Sequence, residues 1–186
     1  MEILDVIKAR RSIRHYQDRP VAREDLLRLL EAAMAAPTAC NSQPWDFIVI
    51  DEPEGMAALR RTLRFGPYNA PAAILVCGNP ERAHNAEGRK YWVQDCAAAT
   101  ENILIAATGM GLGTVWIGIY PLPSVIKPVV RLLDLPESVT PLCAVYVGYP
   151  AEQKRPRTQF DAYHVYWQRW EPRKKRARLK NARLLD

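Results

Sequence analysis

Two rhythms of apolar residues alternate along the chain. Ile3, Leu4, Val6 and Ile7 predict a short first helix that stops at Arg10-Arg11-Ser12-Ile13-Arg14. Leu26, Leu27, Leu29, Leu30, Ala33 and Met34 form one apolar face at helical spacing. Glu24 and Asp25 stand in that helix's first turn, where carboxylates suit the positive end of its dipole. Short apolar runs follow at 47–50, 72–77, 114–119 and 142–147, bounded by turn residues such as Pro44, Pro53, Gly78, Pro80, Gly148 and Pro150. Runs of this length between such punctuation predict buried strands. Between them the pattern predicts a helix over 54–64, ended by Gly66-Pro67, and a long helix over 88–109 with Gly109 as its stop. A further helix spans Pro123 to Leu133, with Pro128 expected at a break or kink. Strands alternating with helices predict a sheet with helices packed on it.

The uncharged stretch 103–119 is 17 residues long, the short limit for a membrane span. It holds four glycines and a strand signal, so it reads as a buried helix followed by a strand. With 48% hydrophobic and 25% charged residues in 186, the composition is that of one soluble domain. The net charge of +6 belongs to the tail: residues 173–183 hold seven basic residues and no acid. The other 19 basic and 20 acidic residues leave a body near −1, which is not expected to bind nucleic acid through its charge. After residue 150 the chain turns charged, proline-bearing and aromatic (Tyr163, Tyr166, Trp167, Trp170), an extension expected to pack on something before the basic tail. The opening Met-Glu-Ile-Leu-Asp-Val-Ile-Lys has no signal-peptide pattern. Cys40, Cys77, Cys96 and Cys143 form no Cys-x-x-Cys, and His15, His84 and His164 show no ligand spacing. Free buried thiols in a reducing cytoplasm, and no metal, are expected.

Few motifs carry chemistry. Residues 37–45, Pro-Thr-Ala-Cys-Asn-Ser-Gln-Pro-Trp, join a helix to a strand. Asn41 and Gln43 each carry donors and an acceptor suited to the edge of a flat heterocycle, and Trp45 is expected to anchor the loop's exit in the core. A plain connector is the competing reading. Arg10, Arg11, Ser12 and Arg14 could hold a phosphate by charge-assisted bonds, or form a solvated basic face. A second basic run, Lys154-Arg155-Pro156-Arg157, could converge on the same phosphate. The glycines at 109, 111 and 113 end a helix and lead into a strand, the reverse of a dinucleotide fingerprint's context, so no Rossmann site is predicted. Gly-x-Ser-x-Gly, His-Glu-x-x-His and Walker patterns are absent from the sequence. An enzyme built this way would take its chemistry from a cofactor.

Taken in order, residues 10–14, 36–45, 111–118 (Gly-Leu-Gly-Thr-Val-Trp-Ile-Gly), 132–137 (Leu-Leu-Asp-Leu-Pro-Glu) and 147–150 (Val-Gly-Tyr-Pro) resemble the FMN-dependent nitroreductase family at similar spacings. The resemblance covers roughly residues 1–160 and implies an α+β fold. That fold is a nitroreductase-like three-layer α/β/α sandwich with a mixed, mainly antiparallel sheet, in an intertwined homodimer with two FMN sites at its interface. Residues 1–160 would form the FMN-binding domain and 161–186 a C-terminal extension. By the same resemblance, Arg10, Arg11, Ser12 and Arg14 hold the FMN phosphate and ribityl chain, completed by Arg155 or Arg157. Pro37, Thr38 and Ala39 pack on the other subunit's flavin. Asn41 and Gln43 bond the ring edge or ribityl, Ile117 and Gly118 present backbone near N5 and O4, and Asn69 touches the ring. The implied activity is ping-pong hydride transfer from NAD(P)H through flavin N5 to a nitroaromatic, quinone or related electrophile, with no catalytic side chain required. Enone reduction, reductive dehalogenation or flavin fragmentation on the same fold is the alternative. Beyond a homodimer and a small electrophile, no nucleic-acid or membrane partner is expected.

The chain departs from the family pattern in places. Thr38 stands where many members have serine. Cys40 beside Asn41 is unusual, and an inert buried thiol is expected over a redox role. No large insertion is present to cover the flavin, so residues 81–92, with Tyr91 and Trp92, form a candidate pocket wall, with ordinary core packing as the competing reading. Residues 173–186, with Leu179, Leu184 and Leu185, lie outside the resemblance. A solvated helix or an arm over the partner is expected there, against contact with nucleic acid or membrane.

Overall fold

The computed structural model describes residues 2–63 and 65–172. In chain order its elements are α1 (Ile3–Ala9), α2 (Arg23–Met34), β1 (Trp45–Ile50), α3 (Pro53–Thr62), β2 (Ala72–Gly78), α4 (Ala86–Lys90), α5 (Trp92–Gly109), β3 (Gly113–Gly118), α6 (Pro123–Leu133) and β4 (Thr140–Gly148). The apolar runs 72–77 and 142–147 become β2 and β4, the central pair. They run antiparallel from Ala72 opposite Val147 to Val76 opposite Cys143, where the register shifts at a bulge. β1 and β3 flank them, giving the order β1-β2-β4-β3.

Both faces of this sheet are covered. Ile74, Val76, Val145 and Val147 face α2 and α5. Ala73, Leu75, Cys77, Ala144 and Tyr146 face α3 and α6. An antiparallel strand with one wet face alternates apolar and polar residues. Here every residue of β2 is buried, so both side-chain sets are apolar and the alternation disappears. The result is the expected three-layer α/β/α arrangement. Among the described residues its mixed character is confined to one place: the four strands pair antiparallel, and the parallel pairing is the bridge between Ser12 and Thr114.

Two expectations are corrected. The helix expected over 88–109 is two helices, because Tyr91, at φ −100° and ψ 4°, breaks it. Asn85 caps the first piece by accepting the Gly88 amide at 2.7 Å. Pro128 lies inside α6 without ending it. Buried Val125 and Val129 pin the helix on either side, and exposed Ser124 carries the carbonyl that lacks a partner. In the aromatic extension Tyr163 and Tyr166 are partly buried, while Phe160, Trp167 and Trp170 are 74%, 79% and 70% exposed. The uncharged stretch forms the last seven residues of α5 and all of β3, and among the described residues no helix is long and apolar enough to cross a membrane. The basic run 173–183 lies outside the described residues.

Candidate functional site

Leaving α1, the chain meets β3 at Thr114 and then, at residues 15–17, pairs with the segment after β4. Ser12 bridges to Thr114, and the Ile13 amide donates to the Thr114 carbonyl at 2.8 Å. Ile13 lies so close that a Cβ on Gly113 would stand 2.9 Å from it. The chain returns to residues 10–16 after β4. The Ala151 amide donates to His15 O at 2.9 Å, and Glu152 accepts the Arg14 amide at 2.6 Å and Lys154 Nζ at 2.9 Å. Lys154 also donates to Ser12 O, Arg11 Nη1 to Arg155 O, and the Arg157 amide to Lys8 O. The two basic runs, far apart in sequence, therefore do converge. The Arg14 amide, then Lys154, hold the Glu152 carboxyl below its usual range. Arg10 reaches Glu101 at 3.8 Å. The Arg14 guanidinium lies over the Tyr68 ring at 5.8 Å, and the two runs together carry six cations against the carboxylates of Glu101 and Glu152, an excess of positive charge suited to an anion such as a phosphate. Arg11, Thr108, Gly111 and Lys154 line a cleft of about 170 Å³ there. Asn69 clasps the same strand: it accepts the Tyr16 amide at 3.0 Å and donates to Tyr16 O at 2.7 Å. Both functions of its amide are thus engaged by backbone.

The loop 37–45 is built on strain. Cys40, Asn41 and Gln43 have φ of 54°, 51° and 47°, the left-handed region that side chains other than glycine enter at a cost. Its interior is tied down: the Ala39 amide donates to Asp95 Oδ1 at 3.0 Å and Ser42 Oγ to Ala39 O at 2.6 Å. The exit is tied by the Asn79 amide on Pro44 O at 2.8 Å, and Trp45 is buried as expected. What the loop leaves outward is polar. Asn41 and Gln43 are exposed and bonded to one another at 3.2 Å. Cys40 is exposed, against the expectation of a buried thiol, because its left-handed backbone turns it out of the loop's packed side. The other thiols are buried, and desolvation pushes Cys77 and Cys143 up to about 12, which keeps them protonated and inert.

The far end of β3 is the third part. Ile117 is buried, whereas Gly118 is exposed, and a Cβ on it would meet nothing within 4 Å. Open backbone of this kind can be approached closely by a flat group. Trp116 and Tyr120 border it, half-exposed. Trp92 stacks edge-on to Tyr120 at 5.0 Å and lies over Gly78, where a Cβ would come within 2.0 Å of its ring. Trp92 is therefore packed, and of the expected wall pair only Tyr91 stands free, at 47% exposure.

The arginine segment meets β3 at Thr114, and open Gly118 stands four residues further on, roughly 13 Å away at 3.3 Å per residue. This suits an elongated group with a phosphate at one end and a planar ring at the other. The loop lies toward the Gly118 end, since Trp92 at the start of α5 meets Tyr120 at 5.0 Å. Asp95, which holds it, is in the first turn of α5, and Thr108, in the cleft beside Arg11, is in the last turn. Those 13 residues span about 20 Å of helix. Sequence reasoning missed Asp95, Gly88 and Glu152. The available signal for Asp95 was a lone acid in the otherwise neutral run 91–100.

The model of the Nitroreductase family matches residues 7–64 and 59–149. A protein of Methanothermobacter thermautotrophicus, provisionally named NADH dehydrogenase/NAD(P)H nitroreductase, is 41% identical over 172 residues, 91% of this chain and 88% of its own length. A Bacillus subtilis protein named FMN reductase (NAD(P)H) is 30% identical over 178 residues, 87% of this chain and 72% of its own. The solved structure of an FMN-dependent nitroreductase from Clostridium difficile superposes with a TM-score of 0.81 at 28% identity, covering 90% of this chain and 99% of that one.

Proposed function

The chain belongs to the nitroreductase family of oxidoreductases, and from that premise we propose that it is a homodimeric FMN enzyme that uses NAD(P)H to reduce nitroaromatics, quinones or related electrophiles. The observation that carries the reading is that residues 10–14 and 154–157 meet one another beside Thr114 of β3, the edge strand that ends in open backbone at Gly118. The chemistry that FMN supplies when bound is hydride acceptance at N5 from a reduced nicotinamide and donation to the second substrate, in alternating half-reactions.

The protein's share is binding and orientation. Arg10, Arg11 and Arg14, with Ser12 and the run containing Arg155 and Arg157, would hold the phosphate and ribityl chain. Ile117 and Gly118 would offer main-chain groups to the ring edge, and Asn69 would fix the strand that carries Arg14. Pro37, Thr38, Ala39, Asn41 and Gln43 would serve the flavin of a second copy. The exposed Phe160, Trp167 and Trp170, which a partner would cover, support that division. Residues 1–160 form the flavin domain in this reading and 161–172 part of the arm. The reaction needs no side-chain acid or base, which accords with the sparse acid–base equipment of these residues.

Purified protein is expected to show flavin absorbance or to take up FMN stoichiometrically, to elute as a dimer, and to give parallel double-reciprocal lines with NAD(P)H and a quinone. Protein that stays colourless with excess FMN under native conditions would sink the proposal.

A further inference from the structure

The shape of the loop depends on one buried carboxylate. Asp95 is only 5% exposed, and burial raises its carboxyl above the usual range. Oδ1 accepts the Ala39 amide at 3.0 Å, and Oδ2 is buried with no hydrogen bond among the described residues. A carboxylate buried with so little compensation weakens the fold unless it is kept for another purpose. Its one hydrogen bond goes to the loop. Ala39 then passes the restraint on, because its carbonyl accepts Ser42 Oγ. Ser42 fits only because residue 88 is glycine: a Cβ there would stand 2.4 Å from Ser42 Oγ. Between Ala39 and Gln43 the backbone visits the left-handed region three times without a glycine, a conformation that persists only when its surroundings enforce it.

We infer that Asp95 is a positioning residue for the cofactor contact: by accepting the Ala39 amide it holds residues 38–43 in the strained turn that presents Thr38, Ala39 and Asn41 to the flavin. The inference rests on the flavin reading above. One competing account must be separated from it. Asp95 also lies in the first turn of α5, where a negative charge favours the helix dipole. Asp95→Asn removes the charge and keeps an amide acceptor, whereas Asp95→Ala removes both.

The test uses the full-length protein, with and without added FMN. Amide exchange at Ala39 is followed by NMR and FMN affinity by fluorescence titration. In Asp95→Ala, exchange at Ala39 is expected to quicken and the FMN dissociation constant to rise, each by roughly tenfold or more, as befits loss of a bond to a charged acceptor. Asp95→Asn is expected to restore both to within a few-fold of wild type. Gly88→Ala, which displaces Ser42, is expected to weaken FMN binding in the same direction without touching Asp95. Unchanged exchange at Ala39 in Asp95→Ala overturns the inference. So does fast exchange with unchanged FMN affinity, or an Asn variant as impaired as the Ala variant. If wild type binds no FMN at all, the functional reading falls, while the exchange rates still decide whether Asp95 holds the loop.

Discussion

Residues 10–16 are held by many bonds, from the backbone of β3 and residues 149–151 and from the side chains of Asn69, Glu152 and Lys154, whereas residues 38–43, beyond the bonds of their own turn, are tied to a distant element through Asp95. In the first region the chain is extended and its restraint is spread over many bonds. Removing one cation should leave the shape intact and take away charge. In the second the backbone is strained and its restraint is concentrated, so a substitution should alter shape first. The two halves of one proposed site therefore offer opposite failures: loss of attraction at the arginine strand, loss of conformation at the loop.

The largest effect is expected where charge alone is removed. Arg10→Ala combined with Arg14→Ala should weaken FMN binding by roughly tenfold to a hundredfold per arginine, at about 1.5–3 kcal/mol for each charge-assisted bond. The melting temperature should barely move. Wild-type affinity should fall as ionic strength rises and the double variant's should fall less; equal salt slopes in a fluorescence titration would contradict the electrostatic account. On the other side, Gly78→Ala attacks the support beneath the loop's exit, since Gly78 pairs with Trp45 and carries Trp92 on its open face. Overpacking there should cost about 1–3 kcal/mol, read as a lower denaturation midpoint.

Smaller still is the strain that the loop stores. Cys40 is exposed at φ 54°, so Cys40→Gly relieves a left-handed side chain and gives up no burial. It should stabilise the protein by about 0.5–1 kcal/mol, the left-handed penalty less the extra freedom of glycine in the unfolded chain. Thermal melts of the two proteins measure it. The smallest effect is at Glu152. Its folded carboxyl lies below the ordinary 4.5, so its contribution to stability is complete above that value and disappears as pH falls through the lower, folded one. Glu152→Gln should cost less than about 1 kcal/mol near neutrality, because the pair with Lys154 is partly solvated, and the gap between variant and wild type should close on acidification below 4.5. A gap that widened in acid would reverse the sign.

The arginine strand was legible as chemistry and illegible as geometry. Guanidiniums in a short run announce an anion, but no local pattern tells that Arg11 will meet the Arg155 carbonyl. That meeting depends on β3 and β4 lying side by side. The loop was legible as a loop, from two prolines and small polar residues, and Trp45 as its anchor. Its brace was not, because Asp95 sits in a helix far along the chain and carries no motif of its own. Errors of local reading have local causes. Tyr91 breaks a helix where no glycine or proline signals it, and Pro128 fails to break one because Val125 and Val129 are held in the core.

Apolar periodicity and turn residues determined by themselves that this chain would make a sheet with helices on it, because burial repeats at the period of each element. The ordered motifs determined its family, since backbone approach and anion binding demand particular residue types. Tertiary structure decided what those residues meet: the antiparallel order that buries both faces of β2, the joining of the two basic runs, the exposure of Cys40, and the carboxylate that holds the loop. Contacts between residues more than a hundred positions apart follow from how strands are paired, and strand pairing is a property of the assembled sheet.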